Sequence, residues 1–167
     1  MTDRKVESLE SALRDQLRDA YSVECQLESA LPKLASLATN SSLSRCFEKH
    51  VYETHRHRER LERIGNGRGW DLGGDASKAM QGLIDGGQDH VAEVSLPAAR
   101  DYLIIAHTRR IELYELAAYR ATTELAECLD YLDTVELLKA SRREDEAMHE
   151  SLSRIAREEL LDRIPAR

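Results

Sequence analysis

The chain has 167 residues, 41% apolar and 33% charged, with 31 acidic side chains against 24 basic ones and a formal charge of −7. That length suits one domain with a core of its own, and the apolar share excludes a disordered chain. No Lys/Arg cluster marks a nucleic-acid footprint; the one basic run, His55-Arg56-His57-Arg58, is flanked by acids and reads as a solvated helix face.

In chain order, the N-terminal stretch Met1 to Glu7 is too charged for a secretory signal. Val6, Leu9, Leu13, Leu17, Ala20, Leu27, Leu31 and Leu34 then recur at the 3-and-4 spacing of a core-facing helix, predicting one from about Val6 to Leu37 with a kink at Pro32. Thr39-Asn40-Ser41-Ser42 supplies capping residues for a second helix to about Ile64, which Gly65-Asn66-Gly67-Arg68-Gly69 ends. All eight glycines lie between Gly65 and Gly87, so the middle reads as a loose loop with a short helix from Ala76 to about Gln88. Pro97 opens a fourth helix to about Cys128, some 30 residues or roughly 45 Å. A fifth runs from about Tyr131 to Leu161.

The predicted fold is all-α: one domain over 1–167, core 6–161, with two antiparallel helical hairpins joined by a crossover at 65–92. This makes an up-down four-helix bundle with an additional short helix. No apolar run approaches the roughly 20 residues of a membrane span. Cys25, Cys46 and Cys128 form no CxxC pair, so the expected setting is reducing and cytoplasmic, with neither membrane nor nucleic acid as partner.

Chemistry enters where polar residues interrupt the apolar seams. Glu24 sits between Ala20 and Leu27; His50, Glu53 and His57 follow one another on the second helix. Glu112 and Glu115 stand i,i+3 on the fourth, and Asp145 and His149 i,i+4 on the last, with Glu144 beside them. An unpaired buried charge is too costly to keep, so these groups are paired, protonated or metal-bound. Carboxylates from four helices, with histidines one turn on, are how bundles hold two iron or manganese ions. A buried polar network is the alternative. His55 and His107 read as surface residues, and Tyr21, Tyr114 and Tyr119 as packing residues with satisfied hydroxyls.

The segment Asp19-Ala20-Tyr21-Ser22-Val23-Glu24-Cys25-Gln26-Leu27, with Phe47-Glu48-Lys49-His50, Met80-Gln81-Gly82-Leu83-Ile84 and Glu112-Leu113-Tyr114-Glu115-Leu116-Ala117-Ala118-Tyr119, resembles the YciE/YciF family of bacterial ferritin-like stress proteins. The resemblance implies a ferritin-like (rubrerythrin-like) bundle, a homodimer, a dinuclear centre and a role in stress. It places Glu24, Glu53, Glu112, Glu115, Glu144 and Asp145 on family acid positions. Arg109 stands where the family usually has Gln, Leu113 where it has His, and His149 where it has an acid. The guanidinium of Arg109 is thereby expected to compete with a metal for Glu112.

Two readings follow. The first is a protein with two iron or manganese ions that handles peroxide or oxygen, with Glu24, Glu53, His57, Glu112, Asp145 and His149 as ligands. His50, Glu115, Glu144 and Arg109 would then be supporting or alternative groups, and an external donor would supply electrons. The second is a metal-free helical dimer serving as a structural or binding module in stress. A zinc hydrolase is a weaker third reading, because the chain has no HExxH motif.

Overall fold

The computed structural model describes residues 6–163, with five α-helices and no strand among them. They are α1 (Leu9–Leu37), α2 (Ser41–Arg68), α3 (Lys78–Ala92), α4 (Pro97–Cys128) and α5 (Leu132–Ile155), followed by a π turn (Ala156–Leu160) and a 3-10 turn (Leu161–Arg163). The charged N-terminal residues 1–5 and Pro165 lie outside the described residues.

Helix ends follow local chemistry. Helix α1 starts at Leu9, so Val6 is no part of its seam and stays 55% exposed. Ser8 caps it reciprocally: its Oγ accepts from the Ser11 N–H while the Ser11 Oγ accepts from the Ser8 N–H. Pro32 lies on the exposed side and the helix continues past it to Leu37. Asn40 Oδ1 accepts from the Leu43 N–H, capping α2 at 3.0 Å.

Helix α2 ends at Arg68, three residues beyond the predicted stop at Gly65. The loop after it folds back so closely that a Cβ on Gly65 would stand 2.9 Å from Leu72 Cγ and from the Trp70 carbonyl. Gly65 is thus required by a close approach within the helix, and the stop is Gly69, in the left-handed region at φ 65°. Helix α3 is likewise shifted to Lys78–Ala92, later than predicted.

Helix α1 packs on α2 and α4, and α5 packs on the same two; α3 lies outside, mainly against α4. Side-chain pairs set the directions. Tyr21 meets Glu62 while Glu28 meets His55, so α1 and α2 run antiparallel. Thr39 meets Asp101 and Glu10 meets Tyr131, so α1 is antiparallel to α4 as well. Arg60 meets Glu144 and Arg68 meets Thr134, which makes α2 and α5 antiparallel. The diagonal helices α2 and α4 are therefore parallel, and residues 69–96 with α3 carry the chain between them.

The interior is layered along this axis. One apolar cluster holds Leu27, Leu31, Phe47, Ile104, Met148 and Leu152. The other holds Leu13, Leu17, Leu61, Ile64, Val135 and Leu138. Between these clusters fall Glu24 of α1, His50, Glu53 and His57 of α2, Glu112 and Glu115 of α4 and Asp145 of α5, all buried. Each fully buried Leu or Ile contributes about 1.5–3 kcal/mol, so the two ends clamp the polar layer between them.

One buried carboxylate holds a turn. Asp101 is 1% exposed; its Oδ1 accepts from the Thr39 N–H at 2.8 Å, and its Oδ2 from the Thr39 hydroxyl at 2.7 Å and the Asn40 N–H at 2.8 Å. Asp101→Ala should cost about 2–4 kcal/mol in urea unfolding, since it strips partners from two backbone donors. A loss under about 0.5 kcal/mol would show that the turn stands without it. The glycines give a prediction of opposite signs. Gly67→Ala meets nothing within 4 Å and should stabilise α2 by about 0.5–1 kcal/mol, whereas Gly65→Ala should destabilise the fold. Equal effects at the two positions would contradict this packing.

Candidate metal centre

The polar layer draws on four helices. From α1 comes Glu24, from α2 His50, Glu53 and His57, from α4 Glu112 and Glu115, and from α5 Asp145; none is more than 7% exposed. Helical periodicity places them: positions 50, 53 and 57 share one face of α2, as 112 and 115 share one of α4.

The layer has two halves. In the first, His50, Glu112, Glu115 and Asp145 each offer a ligand atom, and these atoms all lie within 4.8 Å of one another. Two ligands on one ion at about 2.1 Å stand at most about 4.2 Å apart, so a slight closing of these side chains would grip a cation. In the second, His57 Nδ1 lies 3.3 Å from Glu24 Oε1 and 3.5 Å from Asp145 Oδ1, and its Nε2 is 2.9 Å from Glu144 Oε2. Asp145 joins the halves. The Tyr119 hydroxyl donates to Glu24 Oε1, and the Tyr119 ring stands edge-on to His57.

Many of these atoms lack hydrogen-bond partners. Both nitrogens of His50, His57 Nδ1, both oxygens of Glu112 and of Asp145, and one oxygen each of Glu24, Glu53 and Glu115 are buried without one. His50 Nε2 comes within 3.0 Å of Glu112 Oε1, an ion-pair distance, but the angle makes no hydrogen bond. Buried polar groups are rarely left so, and here they converge from four helices. A hard carboxylate set with two imidazoles suits iron or manganese. The residues present therefore fit a metal centre, and this group could hold an ion.

Charge in the layer is balanced by protons. Burial opposes a charge on His57, but Glu24, with Glu144 and Asp145, raises its pKa to about 10. Burial likewise opposes a charge on His50, and Glu112 overcomes it, holding that ring well above its ordinary value. Burial, reinforced by neighbouring acids, lifts the carboxyl of Glu115 well above the usual range. Burial does the same to Asp145, against the pull of His57. Burial opposes ionisation of Glu144, which His57 and Arg60 nevertheless hold well below the usual range. A metal ion would displace protons from this layer, because its ligands bind deprotonated.

The structure brings Glu24, Glu53, His57, Glu112 and Asp145 of the predicted ligands into the layer. His149 is half-buried with its Nδ1 unpartnered, and is not in the tight group of four. His50 and Glu115, predicted as supporting or alternative groups, are in that group. Glu144 lies at the edge, its side chain 22% exposed. Arg109 forms no ion pair with Glu112 among the described residues; its Nε is buried without a partner, and His50 is the cation beside Glu112. His50 of α2 stands at the Glu112 carboxylate, while Arg109, though only three residues before Glu112 on α4, is half-buried and directed elsewhere.

His107 corrects another expectation. It is buried at 8% exposure beneath α3, its Nδ1 3.1 Å from Arg110 Nη1 and its Nε2 3.1 Å from His90 Nδ1. An arginine can only donate, so Nδ1 accepts and Nε2–H faces His90. Burial, with Arg110 and His90 adding to it, lowers the pKa of His107. Of the tyrosines, Tyr21 donates to Glu62 and Tyr114 to Asp19, both at 3.0 Å. The three cysteines are unpaired.

Residues 8–164 match the family described as a domain of unknown function, DUF892. Protein YciF of Escherichia coli (strain K12) is 33% identical over 153 residues, 90% of this chain and 92% of YciF. The crystal structure of the E. coli stress protein YciF superposes with a TM-score of 0.86, covering 90% of this chain and 96% of that one. YcfI from Rhodopseudomonas palustris, provisionally described as a structural protein, gives 0.87 at 31% identity, covering 92% and 98%. A protein from Xanthomonas campestris pv. campestris, 18% identical with a TM-score of 0.70 over 88% of this chain and 89% of that one, shares the fold. With these relatives and this all-helical fold, the chain belongs to the DUF892 family, as a homologue of the stress protein YciF.

Proposed function

We infer that this chain is a ferritin-like four-helix-bundle stress protein that holds two iron or manganese ions and reacts with peroxide or oxygen. The observation that carries this reading is the set of buried, unpartnered carboxylate and imidazole atoms converging from four helices. His50, Glu53, Glu112, Glu115 and Asp145 would hold one ion and Glu24, Asp145 and His57 the other, with Asp145 between them. His149 is an additional ligand that a rotation could recruit. The metals would supply Lewis acidity and one-electron redox chemistry.

Around them the chain's own residues have definable tasks. Tyr119 fixes one oxygen of Glu24, leaving the other free for a ligand. Arg60 and His57 anchor Glu144, so α5 is held in register with α2. The apolar clusters on either side exclude water from the layer. Three cysteines cannot build a four-thiolate iron site, so electrons would come from an external donor. The working form is a homodimer in a reducing, cytoplasmic setting, where the thiols persist.

The second reading, a metal-free structural module, is favoured by the ion pairs that His50 and His57 already make with acids. Metal content separates the two. Protein purified without chelator should carry about two iron or manganese ions per chain, and a Glu53→Ala/Glu112→Ala variant should carry fewer. Content near zero in the unaltered chain would sink the metal reading. Manganese at a hundredfold excess over its Kd should raise the unfolding midpoint by about 5–10 °C. An unchanged midpoint at millimolar manganese would favour the structural module.

A further inference from the structure

The polar layer opens toward solvent along the seam between α2 and α5. Glu24, Glu112 and Asp145 are fully buried and Glu115 is 2% exposed, whereas Glu53 keeps 7%. Glu144 of α5, which pairs with Arg56, His57 and Arg60 of α2, has a side chain 22% exposed. Positions 49, 53, 56 and 60 recur every three or four residues and so share one stripe of α2. Three of them are cations that close the seam: Lys49 on Glu53, and Arg56 and Arg60 on Glu144 at 3.6 and 2.6 Å.

The two closures differ in how firmly they are built. The Arg60 guanidinium forks over both oxygens of Glu144 at 2.6 and 3.0 Å and also donates to Ser141 Oγ at 3.1 Å; its side chain is only 12% exposed. Lys49 has a side chain 66% exposed and, among the described residues, one ion pair, its ammonium on Glu53 Oε1. The other oxygen, Glu53 Oε2, is buried without a hydrogen-bond partner, 3.7 Å from His50 Nδ1. One carboxylate thus reaches from solvent into the layer, with an ammonium on its outer oxygen and free lone pairs on its inner one.

We propose that Lys49 is the removable plug of a metal entrance, and that a hydrated divalent transition-metal ion enters by taking its place on Glu53. This rests on the metal-centre reading. Displacing an exposed ammonium costs little, because such pairs are weak in water. Entry at Glu144 would instead have to break a bidentate arginine pair. A plain i,i+4 Lys–Glu pair on a helix would support α2 and do nothing to metal uptake. Lys49 is therefore a positioning residue that sets access to the site while binding no metal itself.

Stopped-flow uptake of cobalt(II) by the intact chain separates these roles. Lys49→Met should speed association about two- to fivefold, the factor an exposed ion pair can supply. The final stoichiometry should stay as in the wild type, and Lys49→Arg should restore the slow rate. Lys139→Met, which removes the same charge from an exposed pair with Glu127, should leave the rate unchanged. An unchanged rate in Lys49→Met, or equal acceleration in Lys139→Met, would overturn the plug while leaving the metal centre standing. A wild-type chain that takes up no cobalt would overturn both.

Discussion

Removing a carboxylate from water costs several kcal/mol unless a counter-charge meets it, and this protein does so on all four of its long helices at one level. Glu24, Glu53, Glu112, Glu115 and Asp145 are brought together with two histidines to balance them. Everything else in the bundle accommodates that layer. The two apolar clusters hold the helices together from either end, so the layer need not be stable by itself. Their separation follows from the chain, since each long helix is apolar toward both ends of its buried stripe and ionisable in the middle.

The same constraint explains the rim. The fully buried acids have no Lys or Arg partner among the described residues, while the acids near solvent do: Glu144 has Arg56 and Arg60, and Glu53 has Lys49. Permanent cations at the edge and titratable imidazoles inside make a layer whose interior charge can be exchanged. A bundle built only for stability would more simply fill these positions with apolar side chains, because a buried ion pair seldom outperforms a well-packed hydrophobe. Retaining five acids and two histidines at one level is a reason to look for a ligand there.

Much of this was legible in the sequence. Five helices follow from the apolar spacing, and Glu24, Glu112 and Asp145 were visible as acids where leucines would be expected. What was not legible depends on contacts between helices. Periodicity gives the face a residue occupies but not the height at which it meets its neighbour, so from sequence His149 reads as a ligand and His50 as a supporting group. His50 turned out to face Glu112, and His149 stayed at the margin. Arg109 is near Glu112 along the chain but does not pair with it. His107 looked exposed because the glycine-rich α3 gave no sign of covering it, yet Gly87 lies against its ring. Gly65 looked like a helix stop because a returning loop cannot be seen in a local pattern. Asp101 carries no local sign of its role, although it accepts three hydrogen bonds from the α1–α2 turn.

The account turns on whether the unpartnered atoms of the layer are metal ligands. Anomalous diffraction at the iron and manganese edges, from crystals grown with either ion, tests this most directly. The account predicts two peaks per chain, about 3.5–4 Å apart, one beside His50 and Glu112 and one beside Glu24 and His57, with Asp145 between them. No peak within the layer, with His50 still paired to Glu112 and His57 to Glu144, would contradict it.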